Sequence, residues 1–155
     1  MLYLDIGRFI MQKIYSKIDP NLLLAQINRL EDIPKGKQQL SDAKEFLQIG
    51  TYALAPREHI PAHKHIWKEG GKTITQESWI VIRGSIKGVF YDIDDTVIGE
   101  DVLYPGDCFV AYYGGHSLTN LEDNTVFYEI KTGPYQGREN DKIDIEDHEL
   151  QSVNN

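Results

Sequence analysis

The stretch from His63 to Gly84 reads HKHIWKEGGKTITQESWIVIRG. Its two histidines stand two residues apart. Side chains alternate faces along a strand, so both imidazoles project to the same side. After eleven intervening residues Glu77 opens ESWIVIRG, an apolar run that ends at Gly84. The same parity puts Trp79, Val81 and Arg83 on the face of Glu77. Trp79 and Val81 read as interior lining. Arg83 is expected to leave for solvent at the strand end, because burying an unpaired guanidinium is costly. Further on, GGHSLTN (residues 114–120) supplies a third imidazole, His116, with Leu118 and Asn120 on its side. Three imidazoles and one carboxylate suit divalent iron, manganese, nickel, cobalt or zinc, and such a set can leave a position open for water or substrate. Asn120 either orients a ligand or closes a turn.

Working outward, short apolar stretches alternate with turn residues. Strands are expected near Phe46–Ala55, His63–Ile66, Ser78–Arg83, Lys87–Asp92, Thr96–Leu103, Cys108–Ala111, His116–Leu121 and Val126–Lys131. Pro56, Pro61, Gly70-Gly71, Gly84-Ser85, Asp94-Asp95, Pro105-Gly106-Asp107, Gly114-Gly115 and Asp123-Asn124 separate them. This rhythm predicts an all-β antiparallel sandwich or barrel. Ahead of it, Asp19-Pro20 followed by NLLLAQINRL reads as a capped helix with Leu22, Leu23, Ile27 and Leu30 on one face. The expected organisation is a helical segment over 1–45 packing on a barrel over 46–135, then an acidic tail over 136–155 that is mobile or loosely docked.

Composition excludes several classes. The 155 residues carry 16 Lys plus Arg against 24 Asp plus Glu, a net charge of −8. Half of that comes from the tail, where Arg138 and Lys142 face six acidic residues between Glu139 and Glu149. A chain without a basic block is poorly suited to a phosphate backbone, so nucleic acid is not an expected partner. Hydrophobic residues at 41% argue against wholesale disorder. No apolar run approaches the length of a spanning helix, so no membrane partner is expected. Asp5 and Arg8 interrupt the N-terminal apolar stretch, unlike a signal peptide. The lone Cys108 excludes a disulfide framework or a cysteine zinc cluster. A reduced, cytoplasmic protein is the expectation. Met11 is an alternative start to Met1.

The residues from His63 to Asn120 resemble the two sequence motifs of the cupin superfamily. The first pairs two histidines with a glutamate and a glycine seven residues after it, matched by His63, His65, Glu77 and Gly84. The second runs from a glycine to a histidine four residues before an asparagine, matched by Gly106, His116 and Asn120. The resemblance implies a jelly-roll β-barrel and assigns His63, His65, Glu77 and His116 as ligands of a divalent metal ion. Two departures bear on pocket shape. The histidine–glutamate spacing is longer than the family's usual three or four residues. The second motif is one residue short, with Tyr112 where proline is common. Between about Ile18 and Lys142 the chain looks like small single-domain cupins of bacterial surface-polysaccharide and nucleotide-sugar gene clusters.

That likeness implies a sugar or nucleotide-sugar ligand and isomerase- or epimerase-like chemistry, in which a metal beside a carbonyl stabilises an enediolate. Two other readings stay open: a non-catalytic binding or regulatory cupin, and a non-haem iron dioxygenase. A homodimer is expected from the open edges of a small barrel. Lys68, Lys72, Lys87 and Lys131 would serve phosphate only if a pair converged; lysines ordinarily line solvated faces. Tyr91, Tyr112, Tyr113, Tyr128 and Tyr135 read chiefly as strand residues, although one phenol could act as an acid. Asp92–Asp95 reads as a hairpin turn and Cys108 as a small buried hydrophobe.

Overall fold

The computed structural model describes residues 11–68 and 70–149. It contains twelve strands: β1 (Met11–Tyr15), β2 (Leu23–Asn28), β3 (Gly36–Gln39), β4 (Leu47–Ala53), β5 (His59–His65), β6 (Glu77–Arg83), β7 (Ile86–Tyr91), β8 (Val97–Leu103), β9 (Cys108–Ala111), β10 (Gly115–Asn120), β11 (Val126–Thr132) and β12 (Lys142–Asp144). All eight expected strands are present. No helix among the described residues is long and apolar enough to cross a membrane.

The chain divides into two compact units, residues 1–34 and 35–155. In the first, β1 and β2 form an antiparallel hairpin, where a helix was expected. The reason is local. Asp19 and Ser16 do bond to free backbone N–H groups, but of Asn21 and of Ile18 and Asp19, which closes a turn instead of opening a helix. From Leu23 the chain then continues as strand. Residues 1–10, including Asp5 and Arg8, lie outside the described residues.

The second unit holds two five-stranded antiparallel sheets, ordered β12-β5-β10-β7-β8 and β3-β4-β11-β6-β9. Their facing sides enclose a core of Tyr52, Leu54, Trp79, Val81, Ile86, Leu118 and Phe127. Strand β6 shows why: Glu77, Trp79 and Val81 are buried, while Ser78, Ile80 and Ile82 are only partly so. Gly84 ends this strand at φ +72°, and a Cβ there would collide with Thr125, so both motif and backbone require glycine.

Two segments differ from expectation. Strand β3 pairs with β4, so the sheet begins ahead of Phe46. The acidic tail is docked at least to Glu149: β12 pairs with β5, and Ile145 packs on Ala62, Val89 and Tyr91. Residues 150–155 lie outside the described residues. Cys108 is exposed rather than buried, because its strand β9 is an edge whose alternate residues Phe109 and Ala111 take the inner face.

Candidate metal centre

The centre is built from both sheets. Strand β5 supplies His63 and His65, β10 supplies His116, and Glu77 begins β6 in the facing sheet. His63 and His116 are direct cross-strand partners, with ring centroids 4.6 Å apart. A register shift in β5 opposite His116–Leu118 aims them. Ile60 pairs with core residue Leu118, and His63 with His116, so β5 carries one extra residue at Pro61-Ala62. This bulge brings both Ile60 and His63 to the inner face although their parity differs. Proline is tolerated there because a bulge leaves the ladder unpaired.

The four side chains each offer one ligand atom, and these atoms all lie within 4.8 Å of one another. All four are buried, with side-chain exposures of 2–5% for His65, Glu77 and His116. Nδ1 of His63 donates to the Pro61 carbonyl at 2.8 Å. Nδ1 of His65 lies 3.3 Å from the Asp141 carbonyl oxygen and 3.4 Å from its Oδ2. Both partners are acceptors, so Nδ1 carries the proton in each ring and Nε2 turns to the cluster, the tautomer a ligand needs. Nε2 of His65 is 3.0 Å from Glu77 Oε2. Nε2 of His116 is 2.6 Å from Glu77 Oε1 but outside hydrogen-bonding geometry. It is a buried nitrogen with no hydrogen-bond partner among the described residues, pointed at the same space as the carboxylate. Trp79 stands edge-on to His116 at 4.9 Å, and Phe109 lies 5.9 Å away.

Burial and the charges within the cluster set its electrostatics. Burial, then the charges of His116 and Lys142, lower His63 to about 3. Burial also opposes charge on His65, but its hydrogen bonds to Asp141 and Glu77 outweigh this and raise it to about 9. Burial works against ionisation of Glu77, yet His116 and His65 hold its carboxyl well below the usual range. A divalent ion would take the place of the His65 proton against the Glu77 charge. Three imidazole nitrogens and a carboxylate converging in a buried space suit such an ion.

Asp141 stands behind the cluster and was not foreseen. Thr75 donates to its Oδ1 at 2.5 Å while the carboxylate backs His65, the arrangement that fixes ligand imidazoles at metal sites. Burial pushes the Asp141 carboxyl up, but His65 and Thr75 outweigh it and hold it at about 2. Tyr52 and Glu129 were also missed: Tyr52 Oη donates to Glu129 Oε1 at 2.9 Å, and both are buried. The strand parity of Val126–Lys131 was the available signal, since Phe127, Glu129 and Lys131 share a face.

The other sequence candidates separate clearly. Trp79 and Val81 line the core. Arg83 is exposed and donates from Nε to the Asn124 carbonyl. Asn120 closes a turn, its amide donating to the carbonyls of Leu54, Ala55 and Glu122. Asp92–Asp95 forms a hairpin turn with Asp95 at φ +73°. Lys68 bonds the Pro134 carbonyl, Lys72 is exposed, and Lys87 pairs with Glu100 and Glu149. Tyr112, Tyr113 and Tyr135 are exposed, while Tyr91 is buried and accepts the His148 N–H.

No family model matches the sequence, and no curated protein matches it. Solved structures do. The chain is similar to an RmlC-like cupin protein from Desulfovibrio desulfuricans, at 16% identity over 73% of this chain and 99% of that one, with a TM-score of 0.50. It is similar to KdgF from Halomonas sp., at 16% identity over 64% and 80%, TM-score 0.50. Against oxalate decarboxylase from Bacillus subtilis the identity is 19% and the TM-score 0.55, over 79% of this chain. The chain spans only 33% of that enzyme, and 57% of peruvianin-I, a cysteine peptidase from Thevetia peruviana latex. These neighbours define the architecture as the cupin fold, a double-stranded β-helix, which the sequence motifs led one to expect.

Proposed function

We propose that this chain is a metal-binding cupin that acts on a sugar or nucleotide-sugar with isomerase- or epimerase-like chemistry, and that His63, His65, Glu77 and His116 are the metal ligands. The observation that carries the reading is the convergence of four buried ligand atoms within 4.8 Å. A bound divalent cation supplies Lewis acidity to a substrate oxygen. The chain does the rest. Pro61 and Asp141 hold two of the imidazoles in the ligating tautomer. Trp79 and Phe109 keep bulk water from the floor of the site. Glu129, on the same inner face as Glu77, is placed to take a proton. Its Oε1 accepts from Tyr52, and its Oε2 is buried without a hydrogen bond among the described residues. Burial, then the neighbouring Glu129 charge, raises Tyr52 far above the ordinary phenol range, so the phenol keeps its proton and acts as a donor. The sugar assignment draws on the sequence resemblance. The chain would work as a homodimer through the edge strands of its sheets.

The test is incubation of the metal-loaded protein with a panel of nucleotide-sugars and ketoses in deuterated water, read by NMR. Exchange of a carbon-bound proton in the wild type, lost in Glu129→Gln with its metal retained, supports the reading. Binding without exchange assigns a non-catalytic module. Oxygen uptake with substrate assigns the dioxygenase reading.

A further inference from the structure

Beside the metal centre lies a cavity of about 350 Å³. Its lining runs against the composition of the chain. Lys37, Lys131, Arg138 and Lys142 face it, with Asp141 as the one carboxylate among the described lining residues, in a protein of net charge −8. Asp141 is already engaged with Thr75 and His65, and Arg138 pairs with Asp144. Three lysines therefore set the potential of the cavity. Lys131 has a carboxylate nearby, Glu129 Oε2 at 3.7 Å, and its ammonium sits over the Tyr135 ring at 5.2 Å. Lys37 rests over the Tyr52 ring at 4.7 Å. Neither Lys37 nor Lys142 makes an ion pair among the described residues.

Register ties these cations to the centre. Lys131 is the cross-strand partner of Glu77, and Lys142 of His65. Directly opposed residues share a face with Cβ atoms roughly 4.5–5.5 Å apart. Two of the lysines thus stand one position from two of the four candidate ligands. Like charges brought together in a partly enclosed space repel unless an anion joins them, and a concave cluster of one sign concentrates counter-ions. Of the three lysines, only Lys131 meets a carboxylate among the described residues, Glu129 Oε2 at 3.7 Å, while Glu77 and Asp141 are committed to histidine and threonine donors.

We propose that Lys37, Lys131 and Lys142 form an oxyanion subsite that binds a carboxylate or phosphate group of the ligand while another of its oxygens reaches the metal centre. This rests on the metal-centre reading only for the second half of that statement. It narrows the substrate class to an anionic sugar: a sugar acid, a sugar phosphate or a nucleotide-sugar. The cavity accommodates the anionic group and a ring next to it.

The experiment is an NMR titration of the full chain, with inorganic phosphate in one arm and malonate in the other. Each is run on protein whose metal content has been measured. Saturable binding of at least one anion at millimolar concentration is expected, with shifts centred on Lys37, Lys131 and Lys142. The arm that binds more tightly distinguishes phosphate from carboxylate. Lys37→Met plus Lys131→Met should weaken binding about tenfold or more, as loss of charge-assisted contacts does. Lys72→Met, at an exposed position outside the cavity, should leave it unchanged. Lys37→Met alone, at an exposed residue, provides a variant that keeps the fold and should show a smaller loss. Absence of binding in both arms overturns the proposal, as does equal binding by the double variant. If the wild type holds no metal yet binds the anion through these lysines, the subsite stands and the metal-centre reading fails.

Discussion

Strand β5 carries two histidine–carboxylate clusters, and they differ in what is left unsatisfied. At one end, His59 has a partner at each nitrogen: Thr119 Oγ1 at 2.8 Å from Nδ1 and Asp147 Oδ2 at 2.7 Å from Nε2. Asp147 also accepts the Ala62 N–H at 2.7 Å. At the other end, His63 and His65 are each held through Nδ1, and His116 Nε2 is buried with no hydrogen bond. Residue types are nearly the same. The first cluster closes on itself and clasps the tail to the barrel. The second converges on a point without filling its hydrogen-bond capacity, which is the condition of a ligand set. The bulge at Pro61-Ala62 separates them, sending His59 outward and His63 inward.

Removing the cation should break the comparison most strongly. With metal in thousandfold excess over its dissociation constant, binding stabilises the fold by about 4 kcal/mol. Thermal unfolding of the wild type should therefore shift downward on chelation. His116→Ala should show no chelator response, while His59→Ala should respond as the wild type does. A chelator response that survives in His116→Ala contradicts the division.

Next in size is the clasp. Asp147→Ala leaves the buried Ala62 N–H and the His59 ring without their acceptor. A loss of about 1–3 kcal/mol is expected from denaturant unfolding, with metal content unchanged. Loss of metal in this variant would mean that the two clusters act as one.

The smallest effect is the pH dependence of the clasp. Burial pushes the Asp147 carboxyl up, but the His59 hydrogen bond and the Ala62 N–H outweigh it and hold it below the ordinary value. A depressed carboxyl contributes fully above its unfolded value, near about 3.9, and its contribution is lost as pH falls through the lower folded value. Protection of the Ile145 N–H, which bonds to the Ala62 carbonyl at 3.1 Å, should persist on acidification from neutral pH and fall only below about 4. Loosening well above that range would show that the carboxylate does not hold the tail.

Much of this arrangement was legible in the sequence, for physical reasons. Glu77, Trp79 and Val81 announce their face by alternation, and the histidine pair and Gly84 carry spacings that a strand period makes meaningful. The tail was not legible. Asp141 and Asp147 sit in an acidic, loop-like stretch whose composition matches a solvated terminus, and only the fold brings them to His65 and His59. The hairpin of β1 and β2 was misread because Asp19 can serve a turn as well as a helix cap. Lys131 read as a solvent-facing lysine, and nothing in the sequence singled out Lys37 or Lys142. Their convergence with Lys131 depends on β3 and β12, short edge strands with no apolar alternation to mark them.

The most direct test is elemental analysis of the full chain purified without an affinity-metal column, beside the His63→Ala plus His65→Ala variant. The account predicts close to one equivalent of a divalent transition metal per wild-type chain and none in the variant, with the variant still folded by circular dichroism. Equal metal in both proteins, or none in the wild type even after reconstitution, would contradict it.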